Sequence, residues 1–206
     1  MTVAKTKIEN MKLAENLDQL IIVAAHSLTG TTATVTMHEK RDGIWSEILH
    51  TDGQIGHAGI GKEREGDEKT PIGVYGLSTA FGKKEDPGSI LPYTQIDTSY
   101  WWVGDYHSRY FNQLCRENVQ GRDWELDKEV SEHLWDYKGY NYCCFIEYNV
   151  EGIVQKGSCI FFHCYGEKPY TLGCVAVAEE DMIFILRHMR EGCKILIDLA
   201  DNLMNY

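Results

Sequence analysis

The stretch Thr171-Leu172-Gly173-Cys174-Val175-Ala176-Val177 places a thiol directly after a glycine in a small, apolar segment. His163 lies eleven positions before Cys174, at the end of the apolar run Ile160-Phe161-Phe162. A histidine within reach of a cysteine is the minimum requirement for a cysteine nucleophile, because the imidazole can accept the thiol proton. This pair is therefore the first candidate for a catalytic centre.

The length and composition are those of a folded protein with one main domain. The chain has 206 residues, and 43% of them are hydrophobic, which is enough to build a packed core. Residues 1–15 are polar and mixed in charge, and they predict a loose N-terminal arm or a frayed helix. The remaining residues, 16–206, are expected to form a single catalytic domain.

The charge and hydropathy exclude two classes of partner. The net charge is −11 and no dense Lys/Arg patch occurs, which argues against nucleic-acid binding. No run approaches the roughly 20 apolar residues of a membrane span. No secretory leader is recognisable either, so the protein stays inside the cell or a leader is missing from this sequence.

The seven cysteines do not suggest a metal site or a disulfide framework. Their odd number leaves at least one unpaired, and no Cys-x-x-Cys pair occurs. Cys143 and Cys144 should point to opposite faces if they lie on a strand. No metal and no organic cofactor is expected.

Short apolar or alternating runs indicate strands along most of the chain. Arg41-Asp42-Gly43 is a good hairpin turn, so the strands on either side of it should pair. The predicted strands span residues 20–25, 32–38, 44–49, 74–77, 101–103, 142–148, 158–164 and 195–199.

Two helices are predicted beside these strands. Residues 127–137 suit a helix with Val130, Leu134 and Tyr137 on its apolar face. Glu179-Glu180-Asp181 places negative charge in the first turn of the second helix, where the helix dipole favours it. Strands dominate and do not alternate regularly with helices, which indicates a mainly β fold rather than a doubly wound parallel sheet.

The residues themselves leave the role of the candidate pair open. In the functional interpretation, His163 and Cys174 meet over one cleft, and the backbone amides of Gly173 and Cys174 face the oxyanion that forms when the thiolate attacks a carbonyl. In the structural interpretation, His163 is a core histidine and Cys174 a buried thiol. Spacing alone favours the structural interpretation.

A resemblance to a known family favours the functional interpretation. The segment Ile160-Phe161-Phe162-His163, followed by Thr171-Leu172-Gly173-Cys174-Val175, resembles the histidine and Ser/Thr-x-Gly-Cys signature of the YkuD-type L,D-transpeptidases. The block from Gly61 to Tyr75, with Arg64-Glu65-Gly66-Asp67 and Lys69-Thr70-Pro71, is similar to an early block of the same family. The likeness runs from about Gln19 to Leu199.

The resemblance implies a β-sandwich or barrel-like sheet with a few helices, and an enzyme of the bacterial cell envelope or a secreted one. Such enzymes cut the diaminopimelate–D-alanine bond of peptidoglycan tetrapeptide stems through a cysteine thioester, and pass the acyl group to an amine. It also implies that a backbone carbonyl orients His163. Leu172 and Ala176 depart from the polar residues that many members carry there, which leaves the acceptor substrate open.

Three further residues are candidates for supporting roles. Thr171 is a possible hydrogen-bonding residue of the site or a simple turn residue, and Tyr93 and Tyr110 are possible substrate-binding residues or core residues. Two alternatives to transpeptidation remain: an L,D-carboxypeptidase or amidase-type hydrolase of the same fold, and a non-catalytic cell-wall-binding domain. Peptidoglycan stem peptides are the expected partner.

Overall fold

The computed structural model describes residues 8–206, and most of its regular structure is β-strand. The fold is mainly β, as predicted. The strands are β1 Gln19–Ala25, β2 Thr32–Arg41, β3 Ile44–Gln54, β4 Gly73–Gly82, β5 Tyr93–Gln95, β6 Tyr100–Trp102, β7 Leu114–Arg116, β8 Glu132–His133, β9 Cys143–Ile146, β10 Phe161–Cys164, β11 Val175–Val177 and β12 Lys194–Leu199. The helices are the α-helix α1, Glu179–His188, and short 3-10 helices at Ile8–Asn10, Lys12–Asn16, Leu134–Asp136 and Ala200–Asn205.

The main sheet closes on itself like a barrel. Within the described residues its strand order is β12-β1-β2-β3-β11-β10-β9-β4-β5, and β12 also pairs with β4. The strand β4 can serve two partners on one side because its first half pairs with β12 and its last three residues pair with β5. A second sheet, β7-β6-β8, packs beside it. The predicted barrel-like sheet is therefore confirmed.

The hairpin between β2 and β3 forms where the sequence predicts it. Arg41 pairs with Ile44, and the two turn residues Asp42 and Gly43 have φ values of 50° and 79°. Positive φ at both central residues is the geometry of a type I′ turn, which matches the twist of the flanking strands. Asp tolerates this conformation and Gly adopts it without steric cost.

Alternation along the strands divides the core into separate layers. The barrel interior holds Cys144, Phe162 and Val175, together with the buried face of α1. The opposite face of the same strands contributes Cys143 and Phe161 to a second apolar cluster, which β6 completes with Trp102. Cys143 and Cys144 thus point to opposite faces, as predicted.

The predicted helix over residues 127–137 is wrong. This segment forms a turn, the two-residue strand β8 and one 3-10 turn. Glu132 pairs with Trp102, and the hydroxyl of Ser131 accepts the Gly104 N–H, so strand pairing replaces the local helical pattern. Of the three residues assigned to an apolar helix face, only Leu134 is buried. The second predicted helix is confirmed as α1.

The predicted N-terminal arm is only partly covered by the structure. Residues 1–7 lie outside the described residues. Ile8, Met11 and Ala14 are buried, and they pack on the outer face of β1 through Leu20 and Ile22. Residues 8–15 are therefore packed onto the sheet as short 3-10 helices, not as a loose arm.

We predict that Phe161→Ala destabilises the protein strongly. The Phe161 ring is fully buried and packs edge-on against Phe81, Trp102 and Tyr140. Removing it leaves a cavity, and the free energy of unfolding should fall by about 3–5 kcal/mol. Urea denaturation measures the change. Phe184→Ala, on the half-buried side of α1, is the matched control and should cost less; equal losses would contradict this placement of the core.

Candidate active site

Two neighbouring parallel strands bring His163 and Cys174 together. Phe162 pairs with Val175, and His163 pairs with Ala176. Cys174 directly precedes Val175, so it lies beside Phe161, the residue before Phe162. Because alternate residues share a face, His163 and Cys174 lie on the face opposite to Phe162 and Val175. Strand spacing and rise put their Cα atoms about 8 Å apart on the diagonal. Both line one cleft of about 800 Å³.

The sulfur of Cys174 is held by backbone groups of the segment that leads into β10. The Phe161 N–H donates to Sγ at 3.2 Å, and the thiol donates to the Cys159 carbonyl at 3.5 Å. Burial raises the pKa of the Cys174 thiol to about 12, and the nearby carboxylate of Glu132 adds to the rise. The Phe161 N–H, the Lys62 ammonium and the Tyr140 hydroxyl oppose it. The thiol is therefore protonated at neutral pH.

The imidazole of His163 has a fixed tautomer. Its Nδ1 lies 2.7 Å from the carbonyl oxygen of Cys164, so Nδ1 carries the proton and donates it there. Nε2, on the far side of the ring, is left as a proton acceptor. Burial lowers the pKa of His163 to about 4, although the Cys164 carbonyl favours the charged ring. The Cys164 carbonyl fills the orienting role expected from the resemblance.

The turn before Cys174 is built from hydroxyl contacts. Thr171 donates to the Cys174 carbonyl at 2.6 Å and Thr70 donates to the same oxygen at 3.1 Å. Thr171 also accepts the Gly173 N–H at 3.2 Å. Thr171 thus fixes the carbonyl group of Cys174. The Gly173 amide is occupied by this contact, so it is available to an oxyanion only if the Thr171 hydroxyl gives it up.

A wall of aromatic and charged side chains faces the pair across the cleft. The ring of Tyr140 is 5.1 Å from that of His163, edge to face, and stacks on Tyr137 at 4.9 Å. The Tyr140 hydroxyl donates to Glu132 at 2.8 Å. The early block of the resemblance supplies Lys62, whose buried ammonium is paired with Asp67 at 3.0 Å.

The structure does not bring Tyr93 and Tyr110 to this cleft. The Tyr93 hydroxyl donates to the Lys84 carbonyl at 3.0 Å, and the Tyr110 hydroxyl donates to the Gln120 carbonyl at 2.6 Å. Neither side chain lines the cleft. Each phenol instead holds a loop in place through its hydrogen bond to a backbone carbonyl.

Several residues of the site are missing from the sequence-based predictions. Gly139 is one: a Cβ there would lie 2.9 Å from His163 Nδ1, and its carbonyl accepts the Cys164 N–H at 3.1 Å. The signal for Gly139 and Tyr140 was only a Gly-Tyr pair inside Lys138-Gly139-Tyr140-Asn141. Glu132 lies within the wrongly predicted helix over residues 127–137, which hides its place in the cleft. Thr70 lies within the Lys69-Thr70-Pro71 block, which the sequence analysis names without assigning Thr70 a role.

The family profile described as "YkuD: L,D-transpeptidase catalytic domain" matches residues 45–197, which include both His163 and Cys174. The chain belongs to the YkuD family. The family suggested by the two sequence blocks is thereby confirmed. No curated protein matches the chain.

Solved structures similar to the YkuD chain include two proteins of about twice its length. Bdellovibrio bacteriovorus Bd1075 is 16% identical, with a TM-score of 0.47, and the match covers 88% of this chain and 48% of the Bd1075 chain. The helical cell shape determining protein Pgp2 from Campylobacter jejuni is 17% identical, with a TM-score of 0.45 and the same coverage. An L,D-transpeptidase from Mycobacterium smegmatis is 10% identical, covered to 58%, with a TM-score of 0.38.

Two kinds of feature are not found in the part of the YkuD chain that the structure describes. In residues 8–206, no three His, Cys, Asp or Glu side chains are grouped so that they could hold a metal ion. The helices of the same residues include none with the length and hydropathy of a membrane span.

We predict that Gly173→Ala destabilises the turn that carries the cysteine. Gly173 has a φ of 144°, and an added Cβ would lie 3.1 Å from both Ile160 Cδ1 and the Lys69 carbonyl. The free energy of unfolding in urea should fall by about 1–3 kcal/mol. Gly166→Ala in the same His-to-Cys loop is the matched control, because a Cβ there meets nothing within 4 Å. Equal effects of both changes would contradict the assignment.

We predict that Cys174 in the free protein is alkylated slowly at neutral pH. Its pKa of about 12 leaves little thiolate, so the rate with iodoacetamide should rise steadily through the alkaline range. His163→Ala should change this rate little, because the neutral ring places no charge near the sulfur. Peptide mass spectrometry distinguishes Cys174 from the other cysteines. A rate plateau near neutral pH that His163→Ala abolishes would show a thiolate–imidazolium pair instead.

Proposed function

We propose that the chain is an L,D-transpeptidase that acts on the tetrapeptide stems of peptidoglycan through a Cys174 thioester. The donor bond is that between diaminopimelate and D-alanine, and the acceptor is an amine on a second stem. Family membership supports the substrate class. The observation that supports the chemistry is the diagonal placement of His163 on β10 and Cys174 directly before β11, on one face of the sheet and in the lining of one cleft.

The first half-reaction starts from a neutral pair. As Sγ of Cys174 attacks the diaminopimelate carbonyl carbon, its proton moves to Nε2 of His163, and the carbonyl oxygen becomes an oxyanion. Backbone N–H groups at Gly173 and Cys174 are the proposed donors to that oxyanion, and the Gly173 N–H turns to it when the Thr171 hydroxyl releases it. Collapse breaks the C–N bond, and the imidazolium returns the proton to the departing D-alanine nitrogen. A thioester on Cys174 remains.

The second half-reaction passes the acyl group to a nucleophile. An amine attacks the thioester carbonyl, the C–S bond breaks, and a proton that His163 takes from the nucleophile returns to the sulfur. A thioester reacts more readily with amines than with water, which favours cross-linking. Water in the same position would give the hydrolase. A bacterial envelope location follows from the proposed substrate.

The non-catalytic alternative fits the site less well. A binding domain has no use for an Nδ1-protonated imidazole beside a thiol held by the Phe161 N–H. Retention of both groups with a fixed tautomer supports a reacting centre. Binding to sacculi that Cys174→Ser leaves unchanged, without turnover by the unaltered chain, would support the binding domain.

We predict that incubation with purified tetrapeptide stems gives an acyl adduct on Cys174 and, with an amine-bearing acceptor, a cross-linked dimer. Cys174→Ala should abolish both products, and His163→Ala should slow adduct formation by roughly 10²- to 10⁴-fold. Intact-mass and muropeptide mass spectrometry measure them.

The control for this experiment is Cys115→Ala, which removes a buried thiol from a different apolar cluster and should keep activity. Trimmed stems with no dimer in the presence of acceptor would favour the hydrolase. Turnover that survives Cys174→Ala would overturn the mechanism.

A further inference from the structure

Glu132 is an acidic side chain in the cleft wall with no cationic partner. Its Oε2 accepts the Tyr140 hydroxyl, and its second oxygen has no hydrogen-bond partner among residues 8–206. In the same residues, no lysine or arginine forms an ion pair with it, although other acidic groups of the cleft, such as Asp136, are paired. A carboxylate kept partly buried without a cation is costly, and such groups are concentrated at functional sites.

The position of Glu132 relates it to the reacting sulfur. Its carboxylate accepts the hydroxyl of Tyr140, whose ring lies 5.1 Å from that of His163, and Glu132 lines the same cleft as Cys174. Both Glu132 and Tyr140 act on the pKa of the Cys174 thiol. Burial raises the pKa of Glu132 to about 7; the Tyr140 hydrogen bond opposes the rise and Glu65 adds to it. The titratable groups close enough to interact with its charge are Tyr137, Tyr140, Cys143, Cys159, Cys174 and Glu65.

The second half-reaction needs a second proton acceptor when the nucleophile is a charged amine. A stem amine arrives as an ammonium, and its nitrogen must lose two protons to become an amide nitrogen. One proton returns to the sulfur through His163, since the C–S bond breaks and the thiol is restored. The other proton needs a second acceptor, because His163 Nδ1 already carries a proton that it donates to the Cys164 carbonyl. An efficient base for this step has a pKa near the working pH.

We propose that Glu132 forms an ammonium-binding subsite in the cleft of Cys174, where its carboxylate holds the cationic acceptor amine and takes one of its two protons, which frees the nitrogen lone pair that then attacks the thioester. This inference rests on the proposed function and adds a residue that chooses between acceptors. Glu132 then returns its proton to solvent. Water carries no positive charge and needs only one proton acceptor, so Glu132 favours a charged amine over water.

The test uses Glu132→Gln, which keeps an acceptor oxygen for Tyr140 and removes the charge. The thioester is formed with a tetrapeptide donor and then exposed separately to a lysine-type amine, which is charged at neutral pH, and to hydroxylamine, which is not. Intact mass follows loss of the adduct, and product mass identifies transfer or hydrolysis. Glu129→Gln, on an exposed residue of the cleft rim, is the matched control.

We expect Glu132→Gln to form the thioester no more slowly than the unaltered chain, because it removes a charge that disfavours the Cys174 thiolate, and to slow transfer to the charged amine by roughly tenfold to a hundredfold. Transfer to hydroxylamine and hydrolysis should change less than about twofold, because neither nucleophile needs a second proton acceptor. Equal slowing of both amines would show a merely structural role and overturn the inference, as would no slowing of either.

Two further outcomes separate this inference from the proposed function. An unaltered chain that forms no thioester would overturn both. If Glu132→Gln itself formed no thioester, Glu132→Asp would replace it, since the carboxylate is retained. That variant must still prefer the charged amine to water, and loss of the preference would overturn the inference alone.

Discussion

The parallel pairing of β10 with β11 is the constraint on which the site depends. It fixes which residues of the two strands face the barrel interior and which face the cleft. A slip of one residue in either strand would turn His163 or Cys174 into the core. The two threonine hydroxyls on the Cys174 carbonyl hold the start of β11 in this register, since they tie the strand to the turn before it and to Thr70.

Burial has a chemical consequence at this site. The same exclusion of water that packs Cys174 over Phe161 raises the thiol pKa and lowers that of His163, so the resting pair is uncharged. A charged pair would need solvation that the cleft wall does not provide. In the proposed reaction, proton transfer therefore accompanies attack on the substrate. The thiol of the free protein is protected from reagents that need a preformed thiolate.

Sequence reasoning predicted the parts of this protein that depend on local patterns. The β2–β3 hairpin followed from Asp42-Gly43, and α1 followed from its acidic first turn. The sequence also predicts that His163 and Cys174 lie close together, and the pairing of β10 with β11 brings them to one face; their catalytic role stays a prediction. The helix predicted over residues 127–137 is wrong because strand pairing of Glu132 with Trp102 overrides a local helical pattern. Glu132 is placed in the cleft wall by this long-range strand pairing, which no local spacing encodes. Tyr93 and Tyr110 donate to the loop carbonyls of Lys84 and Gln120, and the sequence does not show which acceptor a tyrosine hydroxyl will find.

The Glu132 carboxylate connects these points. Its negative charge disfavours the Cys174 thiolate while the enzyme rests, because like charges in a cleft of low polarity repel. In the proposed second half-reaction the sulfur leaves as a developing thiolate, and the same charge would oppose its departure. Binding of an ammonium cancels that charge, and uptake of the ammonium proton removes it altogether. The arrival of a cationic acceptor thus lowers the barrier to C–S cleavage through the same group that holds it, whereas water leaves the repulsion in place.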